Sequence, residues 1–182
     1  MMRRYLRRVF SRVVSLGILA LLVFSGLGIL TVSPAAAAIR RLEEAPGQIV
    51  YQSRQTVQDQ HGNSWQAIAF KRVRSDHSAS LYLRLVGFPG TADIDRSRSL
   101  TLTNSLGQSL TATDASSQIF TDATSPEPNV GQYDLQPVLS QLQSEIPLRL
   151  TLPTTDTASV MLPISPTLIE EWRTLAAYEE TK

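Results

Sequence analysis

From residue 47 onward, apolar and polar side chains trade places every second position through most of the next 66 residues of this 182-residue chain. A period of two sends successive side chains to opposite faces of a strand, and no helical stripe satisfies it. In GQIVYQSRQTVQ (47–58), Ile49, Tyr51 and Val57 share one face, and Gln48, Gln52, Arg54 and Gln58 the other. SWQAIAFKRVR (64–74) follows a Gly-Asn turn, and SLYLRLVGF (80–88) aligns Leu81, Leu83 and Leu85. SLTLT (99–103) and QSLTAT (108–113) flank the turn sequence NSLG. PLRLTL (147–152) and ASVMLP (158–163) complete a set of about seven strands.

Two stretches change to helical period. Leu135, Val138, Leu139 and Leu142 predict a short helix over 134–143, with Asp134 as N-cap. SPTLIEEWRTLAAYEE predicts a helix over 166–180, capped by Ser165 with Pro166 at its first position. Its stripe of Leu168, Trp172 and Leu175 should dock on the sheet, each side chain contributing about 1.5–3 kcal/mol on burial. Short strands joined by turns, plus two helices, predict a mainly β (α+β) domain, an antiparallel sandwich or barrel. TDATSPEPNVGQ (121–132) and FPGTADIDRSRS (88–99) read as long surface loops.

The domain should occupy residues 39–182, because the first 38 have the layout of a secretory signal peptide. Arg3, Arg4, Arg7, Arg8 and Arg12 precede an uncharged apolar run over 13–32, and Ala36 and Ala38 supply an A-x-A cleavage site. An uncleaved anchor through 13–32 is the alternative, since about 20 apolar residues can span a bilayer. Arg7-Arg8-Val9-Phe10 also matches part of a twin-arginine export signal, with Leu6 where Ser or Thr is usual. The periplasm or thylakoid lumen is the expected destination.

Without the leader the chain carries 12 basic and 16 acidic residues, a net charge of −4. No basic stripe remains, which argues against nucleic acid. The chain has no cysteine, so its core alone must hold it.

DQHGNSWQAIAF (59–70) brings Asp59, His61, Asn63 and Ser64 together, but Gly62 and Asn63 suit a tight turn better than a catalytic cluster. His61 and His77 flank the strand 64–74 and should lie roughly 30 Å apart, too far to share a metal. Asp76-His77-Ser78 contains three triad residue types, yet consecutive side chains diverge. G-x-S-x-G and phosphate-binding glycine loops are missing. Asp93 and Asp95 alternate like calcium ligands without the remaining oxygens of an EF-hand. Glu170-Glu171 reads as a solvated helix face, and Lys71-Arg72-Val73-Arg74 as a solvated strand edge. Neither a cofactor nor a catalytic residue is expected.

Strand 64–74 has apolar residues on both parities: Trp65, Ala67, Ala69 and Val73 on one, Ile68 and Phe70 on the other. Both faces should therefore be covered, by the C-terminal helix or by a partner. Trp65 and Phe70, with Tyr51, Tyr82 and Tyr133, are the candidate binding residues; the rim of the core is their alternative place.

LEEAPGQIVYQSRQTVQDQHGNSWQAIAFKR (42–72), LRLVGFPG (83–90), NVGQYDLQPVL (129–139) and PLRLTLP (147–153) together resemble a family of small exported cyanobacterial proteins known as a domain of unknown function. The resemblance implies a cyanobacterial source and supplies no activity. The expected function is that of an accessory protein working by protein–protein contact with a partner in the lumen or at a membrane. A carrier of a small apolar ligand (lipid or pigment) inside a closed barrel is the alternative, and a hydrolase the third reading.

Overall fold

A computed structural model describes residues 39–119, 127–156 and 158–178. The leader, including 13–32, and the last residues of the predicted C-terminal helix lie outside the described residues. Nine strands are described: β1 (Arg40–Ala45), β2 (Gln48–Gln58), β3 (Ser64–Val73), β4 (Ala79–Gly87), β5 (Leu100–Asn104), β6 (Ser109–Ala112), β7 (Val130–Asp134), β8 (Leu148–Leu152) and β9 (Val160–Ile164). One helix, α1 (Pro166–Ala177), follows. The strands make a five-stranded sheet, β1-β2-β3-β4-β7, and a four-stranded sheet, β6-β5-β8-β9. Every named pairing is antiparallel. The sheets form a sandwich rather than a closed barrel.

One core joins both sheets and the helix. Trp65, Leu83, Leu85 and Tyr133 of the first sheet meet Leu102, Leu150 and Leu162 of the second, with Trp172 and Leu175 of α1 among them. The helix begins as its sequence predicts: the Ser165 hydroxyl accepts from the Leu168 N–H at 3.3 Å, and Pro166 needs no N–H partner. It lies over the inner face of β2 and β3. Ser53 Oγ donates to Glu171 Oε2 at 2.9 Å, and Lys71 Nζ donates to the carbonyls of Ala176 and Tyr178 at 2.7 and 2.8 Å. Lys71 thus places a cation at the helix C-terminus, where the carbonyls lack intrahelical partners. Two expectations are corrected here. Glu171 faces the sheet rather than solvent, and Lys71-Arg72-Val73-Arg74 ends a central strand rather than an edge.

The predicted helix over 134–143 is reduced to a 3-10 turn, Leu139–Gln141. Asp134 ends β7 instead of capping a helix, and its carboxylate accepts from the Gln136 N–H at 3.0 Å. Leu135, Val138 and Leu142 are buried as the stripe demands. The turn stops at Leu142, whose backbone is already extended at ψ 126°.

Two strands escaped the alternation. β1, RRLEEA, has a single large apolar residue and is exposed throughout; the Pro46-Gly47 turn, with Gly47 at φ 74°, folds it against β2. β7 starts inside the stretch read as loop, because Gly131 and Gln132 interrupt any apolar pattern. Tertiary partners satisfy Gln132 instead: its Oε1 accepts from Arg84 Nε and Nη2 at 3.2 and 2.9 Å.

The outer border of β9 is closed by side-chain chemistry. Met161 N–H donates to Gln60 Oε1 at 2.7 Å, and Gln60 Nε2 donates to the Ser159 carbonyl at 3.0 Å. The next outward position is Pro163, which has no N–H. Among the described residues no helix is long and apolar enough to cross a membrane.

Candidate functional site

Asp59, at the end of the β2 ladder, explains the histidine turn. Its Oδ1 accepts from the N–H groups of His61 and Asn63 at 2.8 and 2.9 Å. Its Oδ2 accepts from Asn63 Nδ2 at 3.0 Å and Trp65 Nε1 at 3.2 Å. Burial pushes this carboxyl up, but the donors, led by the Asn63 side chain and backbone, outweigh it and hold the pKa below the usual range. Every lone-pair direction is committed to folding the hairpin. Gly62, at φ 81°, makes the reversal, and His61 is exposed. His77 stands exposed in the opposite turn, beyond the other end of β3, at φ 61°. Among the described residues no three His, Cys, Asp or Glu side chains are placed to hold a metal.

Asp76 and Asp95 also shape turns. Asp76 Oδ1 accepts from the Ser78 N–H at 2.9 Å, and Asp95 Oδ1 from the Ser97 N–H and hydroxyl at 3.0 and 2.6 Å. The triad-like and calcium-like patterns are Asx turns.

The five candidate binding residues divide by parity. Trp65 and Tyr133 are fully buried in the main core, and Tyr51 lies on that inner face with its ring 5.0 Å from that of Tyr178. Phe70 and Tyr82 lie on the outer face of the five-stranded sheet, with ring centroids 5.6 Å apart. There they join Val50, Ile68 and Ala115 in a second, smaller apolar cluster. Helix α1 covers the inner face of β3 alone.

Arginines cover the outer cluster. The cross-strand register places Arg54, Ile68, Arg84 and Gln132 in one row, then Gln52, Phe70 and Tyr82 in the next. The guanidinium carbons of Arg72 and Arg84 stand 5.6 and 5.1 Å from the Phe70 ring centroid. Arg72 also forks onto Glu44 of β1, Nε to Oε2 at 2.9 Å and Nη2 to Oε1 at 3.2 Å. Burial, and then the positive charges of Arg72 and Arg54 against the pull of Glu44, push the Arg84 pKa down.

Around this cluster runs an open groove of about 300 Å³. Its walls carry the guanidinium groups of Arg54, Arg72 and Arg84 and the carboxylates of Glu43 and Glu44, with Leu42 at the β1 side. Glu44 is engaged by Arg72, so the balance is positive in a domain whose net charge is negative. Guanidinium forks read carboxylates in bidentate geometry, which gives the groove a chemical preference.

A second groove, of about 330 Å³, lies beside the β5–β6 turn, lined by Asn104, Gln108, Gln141 and Gln143 with no charged side chain. Asn104 there is occupied by its own turn, accepting from the Leu106 and Gln108 N–H groups at 3.0 Å each. The arginine groove is the candidate site. In the sequence Arg54 reads only as the polar half of an alternating pattern, Arg84 stands unmarked among leucines, and Arg72 belongs to a basic strand end read as solvated. The available signal was Ile68 and Phe70, two apolar residues on the polar parity of a strand whose neighbours carry Arg54 and Arg84 at matching positions.

No curated protein and no solved structure matches the chain. The model of a family described as a protein of unknown function, DUF3122, matches residues 37–175.

Proposed function

The chain belongs to the DUF3122 family of proteins of unknown function, and from that premise we propose that it is an exported cyanobacterial accessory protein of the thylakoid lumen or periplasm. It works by protein–protein contact through the outer face of its five-stranded sheet, and the patch it meets is acidic. The observation that carries this reading is the groove itself: three arginines against two glutamates around Phe70 and Ile68, a positive balance on a domain of net negative charge. Export is supported by the five arginines, the apolar run over 13–32 and the A-x-A before Ile39.

The test places a photo-crosslinking amino acid at Arg54 in the full-length chain, expressed in a cyanobacterium. The same amino acid at Leu106, exposed on the β5–β6 turn, serves as the reference. The reading expects one discrete adduct from position 54 and none from 106, in the soluble lumenal or periplasmic fraction, with the mature chain starting at Ile39. Equal labelling from both positions, or a chain retained in the cytoplasm, overturns it.

A further inference from the structure

We propose that Arg72 is the carboxylate-reading position of this groove, and that Glu44 occupies it in the unbound protein as a stand-in for a carboxylate of the partner. The proposal rests on the outer-face contact argued above and names its chemistry: an extended acidic segment of a protein partner.

Three observations meet at Glu44. Its carboxylate takes the Arg72 fork through both oxygens, which is the arrangement an incoming Asp or Glu side chain would make. Arg72 is well covered, with a side chain 14% exposed, whereas Glu44 is 46% exposed and accessible for replacement. Glu44 also stands on the one strand that buries none of its six residues, at a register shift between Glu43 and Ala45. Releasing the Glu44 side chain breaks the Arg72 fork and the hydrogen bond accepted from Gln48 Nε2, and disturbs no buried residue of β1 itself.

The rest of the groove suits a chain carrying more than one acidic group. Arg54 and Arg84 flank Ile68 on the two neighbouring strands, about 10 Å apart in the sheet. A segment with one carboxylate in the Arg72 fork brings its next acidic residues toward this pair. The charge of such a segment relieves the mutual repulsion of Arg84, Arg72 and Arg54 that Glu44 offsets only in part. Leu42, 48% exposed beside the groove, offers an apolar contact between the acidic groups.

The experiment uses the mature domain and a fluorescent hexaglutamate peptide, with hexalysine as control, followed by anisotropy at low and physiological salt. The wild-type protein should bind hexaglutamate alone, more weakly at higher salt. Glu44→Gln removes the competitor and should tighten binding about two- to fivefold, the range of a partly exposed ion pair. Arg54→Gln, at an exposed position that leaves the fold intact, should weaken it by a similar factor. If Arg54→Gln changes nothing, or wild type ignores the peptide, the outer-face reading itself fails. If Arg54→Gln weakens binding but Glu44→Gln leaves it equal or weaker, the stand-in role alone is refuted. Vesicles of phosphatidylcholine with phosphatidylglycerol form a last arm. Arginine-dependent binding to them in place of the peptide refutes a protein segment as occupant.

Discussion

Replacing Asp59 decides whether the histidine turn is architecture or chemistry. Asp59→Ala deletes an acceptor for four donors and strands the Trp65 Nε1–H inside the core. Hydrogen bonds to a charged acceptor are worth about 1.5–3 kcal/mol each when buried, and an orphaned buried donor costs about 1–3 kcal/mol. Three of the four donors lie near the surface, where water replaces much of what is lost. The expected destabilisation is therefore about 3 kcal/mol, or a Tm lower by roughly 6–12 °C for a domain of this size. Asp59→Asn sharpens the case. Its carbonyl can still serve the His61 and Asn63 backbone, but its NH2 then confronts Asn63 Nδ2 and Trp65 Nε1, two donors. It should lose nearly as much as Ala. His61→Ala should stay within about 0.5 kcal/mol, as exposed positions do. Urea and thermal melts of the three variants settle the order. An Asp59→Ala protein as stable as wild type, or His61→Ala as damaging as Asp59→Ala, refutes the argument.

The same carboxylate shapes the acid limb. Its folded pKa lies below the unfolded value of about 3.9, so its contribution is complete above roughly pH 4 and is lost as pH falls through the folded value. Chemical melts between neutral and acid pH should show a shallower acid decline for Asp59→Ala than for wild type. Gly87→Ala places a Cβ 3.0 Å from the Trp65 ring, which is fully buried and cannot retreat. Overpacking of about 1–3 kcal/mol exceeds the roughly 0.4–1 kcal/mol gained from a stiffer unfolded chain, so the melt should shift downward. Lys71→Met removes the cation from the carbonyls of Ala176 and Tyr178, and hydrogen exchange should quicken in the last turn of α1 while β3 stays protected.

What the sequence disclosed tracks what is local. The alternation in β2 to β5 and the cap at Ser165 are written in adjacent residues, so strands and helix were legible with the sandwich they imply. β1 was not, because RRLEEA has no apolar rhythm and becomes a strand only when β2 offers it a ladder. β7 was hidden for a related reason: Gln132 is fully buried, and the guanidinium of Arg84 that satisfies it lies 48 residues away. The stripe over 135–142 was read as a helix, but the same apolar spacing also buries Leu135, Val138 and Leu142 around a single 3-10 turn. The candidate site was the least legible part. Arg54, Arg72 and Arg84 are far apart in sequence, each is unremarkable alone, and only the register of three strands gathers them around Phe70.

The Gln60 amide beside Met161 carries a consequence for how the domain behaves in company. A foreign strand arriving at β9 finds the first donor taken by a side chain built like a peptide group, and the second missing because proline stands there. It can form no continuous ladder along that side. The four-stranded layer thus ends where it does by chemistry, and copies of the protein can crowd against this flank without polymerising through it.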